Sequence, residues 1–158
     1  MEVHSQEKVW IAISLGMLLV FFLAVTGSVA FGGFTLPGPE DRVDPQTVAQ
    51  TPPFDRPGIR EIAPGRYEVY MIARVWSFSP GELRIPPGST VTFYLTSPDV
   101  IHGFLIPGTD VNVMVIPGQV TRVSQDFPES GEFLILCSEY CGLGHQNMSG
   151  KIIVGEMG

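Results

Sequence analysis

The stretch "GEFLILCSEYCGLGHQNMSGKIIVG", residues 131–155, reads as strand, loop, strand. GEFLILC and SGKIIVG are short apolar runs of strand length, bounded by Gly and Ser. Between and beside them lie Cys137, Cys141, His145 and Met148, which include both cysteines of the 158-residue chain. A loop joining two strands sits at one end of a sheet, where functional loops gather.

The same texture continues outward from this stretch. Upstream come RYEVYMIARVW (66–76), ELRIP (82–86), STVTFYLTS (89–97), HGFLI (102–106), DVNVMVI (110–116) and QVTRVSQDF (119–127), each cut off by Pro or Gly turn signals. In STVTFYLTS, Val91, Phe93 and Leu95 fall on one face, the period of a half-buried strand. About eight short strands with no competing helical period predict a mainly β fold, an antiparallel sandwich or barrel closed by Greek-key connections. The predicted domain spans 59–158, enough chain for one core between two sheets.

Upstream of the domain the composition changes twice. Residues 9–31, VWIAISLGMLLVFFLAVTGSVAF, are 23 residues without a charge, and a helix of about 20 apolar residues spans a bilayer. A cleaved signal peptide would have a shorter apolar core and a basic start, whereas this start, residues 1–8, carries two acids and one lysine. A retained transmembrane helix over 9–31, after an N-terminal tail at 1–8, is therefore expected. Residues 32–58 contain six prolines and four glycines, which predicts a stiff extended connector without regular structure.

The spacing C-x3-C alone leaves a disulfide and a metal equally open. The neighbours narrow it. His102, in TSPDVIHGF, is the other histidine outside the tail. Cys137, Cys141, His102 and His145 would make a zinc site, but thioether suits copper, so Met148 would be idle. One blue copper would take two histidines, one cysteine and Met148, leaving a thiolate over. Two coppers bridged by both thiolates use every donor. Each ion then has two sulfurs and one histidine, with Met148 capping one and a backbone carbonyl between the cysteines capping the other.

The run C-S-E-Y-C-G-L-G-H-Q-N-M resembles the binuclear copper motif, CuA, of cytochrome c oxidase subunit II, and SPDVIHGF resembles that family's first-histidine motif. The resemblance covers about residues 67–154 and agrees with the apolar helix. A single such helix, preceded by EKVW, is most similar to the bacterial ba3-type (B-type) oxidases. The resemblance implies a cupredoxin-like sandwich. His102 and His145 would each bind one copper, Cys137 and Cys141 would bridge, and Met148 and the Glu139 main-chain carbonyl would be axial ligands. It also implies partners: oxidase subunit I with haem and CuB, a cytochrome c as donor, a small additional transmembrane subunit and membrane lipid. Electrons would pass from cytochrome c to haem in subunit I, for oxygen reduction to water coupled to proton pumping. The location implied is a bacterial plasma membrane, N-terminus cytoplasmic and copper domain periplasmic.

Other residues carry two readings each. The Glu139 side chain would bind a magnesium ion at the subunit I interface if it follows the A-type oxidases; otherwise it is a solvated carboxylate. Trp76, with Phe78 nearby, is the candidate point at which electrons enter, or else packing. Asp99 orients a ligand or contacts subunit I, or caps the loop of "SPD". Glu7 stands at the mouth of a proton path, or suits a helix dipole. The net charge of −7 argues against nucleic acid. Residues 32–158, with eight Lys/Arg against fourteen Asp/Glu, suit a basic partner or ordinary solubility. Two competing functions remain, a membrane-tethered copper chaperone and a tethered mononuclear copper carrier. Late cysteines argue against the first and Cys141 against the second.

Overall fold

The computed structural model describes residues 4–31 and 42–155. Its first unit is the helix α1 (Ser5–Phe31). At about 1.5 Å per residue, 27 residues reach about 40 Å, more than the roughly 30 Å hydrocarbon core of a bilayer. No residue of α1 is buried in the chain itself, so its apolar surface has lipid or another protein to meet. The helix starts four residues before the expected position, which puts Glu7 inside its first turn. There the His4 N–H donates to Glu7 Oε2 at 3.1 Å, half of a capping box, while the Lys8 N–H closes on the His4 carbonyl at 3.1 Å.

The second unit is the expected mainly β, cupredoxin-like sandwich. Among the described residues its ten strands are β1 (Gly58–Ala63), β2 (Arg66–Arg74), β3 (Ser77–Ser79), β4 (Glu82–Ile85), β5 (Ser89–Thr96), β6 (His102–Leu105), β7 (Asn112–Val115), β8 (Thr121–Phe127), β9 (Gly131–Leu136) and β10 (Ser149–Val154). One sheet runs β1-β2-β5-β8, with β3 also on β2; the other runs β4-β10-β9-β6-β7. The chain crosses between sheets repeatedly, so half of the paired strands are not neighbours in sequence. The expectation of antiparallel sheets needs correction: β2 pairs β5 in parallel, and β10 pairs β4 in parallel. A parallel pair needs a crossover rather than a hairpin, and here the other sheet supplies it.

Alternation builds the core. Val69 and Met71 of β2 and Val91, Phe93 and Leu95 of β5 point inward and meet Phe104, Ile135 and Ile152 of the facing sheet. Phe104 is the hub, tilted against Phe93 at 5.2 Å and edge-on to Phe78 at 5.9 Å. Burial of each such ring contributes on the order of 1.5–3 kcal/mol.

The connector expected over 32–58 also needs correction. Residues 32–41 lie outside the described residues, but 42–57 form a strap folded on the outer face of the first sheet. Val48, in a single 3-10 turn at Val48–Gln50, and Phe54 are both only 1% exposed and pack on Ile72, Tyr70 and Tyr94. Arg42 bridges Gln119, and the Val43 N–H donates to the Gly118 carbonyl at 3.3 Å. Prolines stop helix and strand here, but they do not stop two apolar anchors from docking.

Candidate metal centre

Antiparallel pairing of β9 with β10 makes residues 137–148 the loop of a hairpin. The Cys137 N–H donates to the Met148 carbonyl at 3.2 Å and closes the base of that loop. A 3-10 turn at His145–Asn147 then folds His145 back toward the cysteines. β6 lies beside β9 through the single pair Leu105↔Leu136 and brings in His102, which is fully buried.

The donor atoms converge. Cys137 Sγ is 3.7 Å from Cys141 Sγ, 3.9 Å from His102 Nδ1 and 3.2 Å from the Glu139 carbonyl oxygen. Cys141 Sγ is 3.6 Å from both His145 Nδ1 and Met148 Sδ. Two donors on one tetrahedral ion, with metal–sulfur bonds of about 2.3 Å and metal–nitrogen bonds of about 2.0–2.1 Å, stand about 3.6–3.8 Å apart. The spacings therefore fit bound-metal geometry on both sides of the sulfur pair, His102 with Cys137 and His145 with Cys141. The two cysteines are buried free thiols. Burial, and then the adjacent Cys137 sulfur, push the Cys141 thiol up to about 11. Ionised together, two sulfurs this close would need a cation between them, and the soft donor set of two thiolates, two imidazoles and a thioether favours copper.

The remaining expected residues fall as follows. Asp99 both caps its loop and reaches a ligand: Oδ1 lies 2.9 Å from His102 Nε2, and Oδ1 accepts the Val100 N–H at 2.7 Å and the Ser97 hydroxyl at 3.0 Å. Its Oδ2 accepts the Val75 N–H at 2.8 Å. Burial works to raise the Asp99 pKa, but the bonds from His102, Val75, Val100 and Ser97 outweigh it and leave the carboxyl below its ordinary value. Trp76 is 46% exposed and lies against the glycines of the ligand loop. Glu139 has an exposed side chain, and its carbonyl faces Cys137. Phe78, read from the sequence either as a residue beside the site or at an interface or as core or rim packing, lies in the core at 5% exposure, where β3 turns it inward onto Phe104. Glu7, on α1, belongs to the other unit.

One residue escaped the sequence reading. At Gly103 a Cβ would lie 2.6 Å from the Ser138 nitrogen and 2.7 Å from the Glu139 nitrogen, so only glycine lets β6 press against the ligand loop. Its signal was available: a glycine inside a strand, directly after a ligand histidine, marks a close backbone approach. Around the loop Tyr140 and Leu143 are strongly exposed, and the Tyr140 ring stands edge-on to His145 at 5.8 Å.

Comparison with known proteins gives the same direction over most of the chain. The family model for the cytochrome c oxidase subunit II periplasmic domain matches residues 79–156. A cytochrome c oxidase subunit 2 from Thermus thermophilus is 44% identical over 156 residues, covering 96% of this chain and 93% of that one. A chain from the cryo-EM structure of a heme-copper terminal oxidase dimer superposes with a TM-score of 0.66 at 37% identity, covering 94% of this chain and 99% of that chain. The crystal structure of the periplasmic domain of subunit II of cytochrome oxidase from Bradyrhizobium japonicum shares the fold, with a TM-score of 0.53 at 23% identity over 56% of this chain and 83% of that one.

Proposed function

The chain belongs to the cytochrome c oxidase subunit II family, part of a membrane-bound heme-copper terminal oxidase, and on that premise we propose that it is the electron-receiving subunit of a ba3-type, proton-pumping enzyme. The observation that supports this reading is the donor cluster, in which two thiols, two imidazole nitrogens, a thioether and a carbonyl lie close to one another, with a sulfur pair flanked by a histidine on each side. His102 and His145 would each hold one copper, Cys137 and Cys141 would be shared by both ions, and Met148 and the Glu139 carbonyl would each cap one. When bound, such a pair supplies a one-electron carrier whose charge change is shared over two ions. The protein's part is to keep the donors fixed and dry. Both cysteines, His102 and Met148 are buried in the sandwich end, so little water reorganises around them.

Trp76, half-exposed on the ligand loop, is the point at which a cytochrome c would deliver electrons, and subunit I haem would receive them for oxygen reduction to water. The copper domain faces the periplasm and the N-terminus the cytoplasm of a bacterial plasma membrane. Glu7 stands at the start of α1, on the side from which a proton path in subunit I would load. The exposed Glu139 side chain is free to face subunit I, where a magnesium ion would suit it. A small additional transmembrane subunit would cover part of α1.

The test is copper per chain and the EPR spectrum of the full-length protein, wild type and Cys141→Ser. Two coppers sharing one unpaired electron in the wild type, lost in the variant, is the expected result. One copper, or zinc alone, would refute the proposal.

A further inference from the structure

We propose that the Val75–Trp76 turn is a latch that positions both histidines of the donor cluster, one through a carboxylate and one through an indole. The turn lies between β2 and β3 and supplies no donor of its own. Its first arm runs from the Val75 N–H to Asp99 Oδ2 at 2.8 Å, and from Asp99 Oδ1 to His102 Nε2 at 2.9 Å. That engages the ring nitrogen remote from the sulfurs and leaves Nδ1 on the Cys137 side. Because Ser97 and Val100 also bind Oδ1, the carboxylate cannot swing, and the His102 ring inherits its orientation from the turn.

The second arm is the Trp76 ring. A Cβ at 144 would lie 2.7 Å from Trp76 Cγ and Cε3, and one at 142 would lie 3.2 Å from Nε1. The indole therefore lies directly on the backbone of Gly142 and Gly144, immediately before His145. Gly142 also has φ +115°, a conformation other residues rarely adopt. Any side chain at 144 would lift the ring off. One two-residue turn thus touches both halves of the site, which also meet through the sulfurs, the β6–β9 pair, the close approach of Gly103 to the ligand loop and the Ser138–Asn112 bond.

This inference rests on the copper reading for its functional meaning, but its geometry does not. A residue that only passes electrons needs contact; a latch also sets how rigidly the donors stand. Outer partners of ligand histidines commonly change metal affinity by about 10–100-fold when removed.

The experiment uses the full-length chain with Trp76→Ala, Trp76→Phe and Asp99→Ala. The metal-free protein is assayed for the rate at which Cys137 and Cys141 react with a disulfide reagent. The copper-loaded protein is assayed for the hyperfine couplings of the two histidine nitrogens. Trp76→Ala should raise thiol reactivity about tenfold or more, because the loop opens locally. It should also shift both nitrogen couplings, whereas Asp99→Ala should shift mainly that of His102. Trp76→Phe, which returns a ring to the glycines, should recover most of the wild-type behaviour. The latch is overturned if Trp76→Ala leaves thiol rate and couplings at wild-type values, or if it moves only the His145 coupling. The thiol rate needs no metal, so a failure of the copper reading in the wild type would show separately as a wrong copper count.

Discussion

Gly103→Ala places one methyl group where the structure has no room for it. The new Cβ would stand 2.6 Å from Ser138 N and 2.7 Å from Glu139 N, against ordinary contact beginning at 3.4 Å. The Ser138 hydroxyl, which the Cβ also meets, can rotate away, but the two nitrogens are main chain and no rotamer change relieves them, so the loop must retreat by about 0.7–0.8 Å. Overpacking of this kind costs about 1–3 kcal/mol. For a folded unit of this size, that lowers Tm by roughly 5–15 °C. The retreat also carries away the Glu139 carbonyl, which sits 3.2 Å from Cys137 Sγ, so copper affinity should fall along with stability. Thermal unfolding of the metal-free chain by circular dichroism reads the first effect, and copper competition against a chelator reads the second. Gly155→Ala is the control, since nothing lies within 4 Å of its Cβ. A Gly103→Ala protein within about 0.5 kcal/mol of wild type, the range of an ordinary surface change, would refute the close-approach argument.

Phe54→Ala should remove the main anchor of the strap, whose ring is edge-on to Tyr70 at 5.7 Å, at a cost of about 3–5 kcal/mol. Limited proteolysis should then cut within 42–57 while copper binding persists; an uncut strap counts against the anchor. Burial, then the bond to Glu68, push the Tyr70 pKa up to about 12, although Arg60 over its ring opposes them. A raised folded pKa means a contribution fully present below about pH 10, the ordinary tyrosine value, and lost as pH rises toward 12. In Glu68→Gln the Tyr70 midpoint, followed by carbon NMR at its Cζ, should drop, and an unmoved midpoint would contradict the assigned cause. Glu7→Gln should slow proton-linked turnover of the oxidase and leave copper reduction unchanged, with equal turnover in both proteins deciding against a proton role.

What the sequence revealed and what it hid follow from where the information lies. The donor set was legible because four of its side chains fall within residues 137–148 and the fifth is the one histidine left outside the tail. Most strands were legible through alternation, as in β5. β1 was not: GIREIA is an edge strand with four exposed central residues, so it shows no buried face to read. β3 has three residues, too few for a period. The parallel pairs depend on which strands meet across the sandwich, and no local pattern encodes that. The strap was misread because a composition rich in proline masks two positions, Val48 and Phe54, that do bury. Phe78 and Trp76 stand two apart in ARVWSFSP, and only the turn between β2 and β3 shows that one goes inward and the other stays half outside.

The hairpin that carries four of the donors also implies an order of assembly. Its closing loop is 12 residues, so its ends meet within a loop-closure time on the order of 10–100 ns, and the hairpin can form within microseconds. His102 stands 35 positions before Cys137 and arrives only when β6 has crossed to β9. A nascent chain therefore holds a sulfur-rich half-site before it holds the whole one. A metal ion captured at that stage would meet soft thiol and thioether donors first, and imidazole from His102 last. The order of closure thus selects for ions that tolerate a sulfur-rich set with the single imidazole of His145 during the interval, such as monovalent copper, before the second half of the sandwich seals the site.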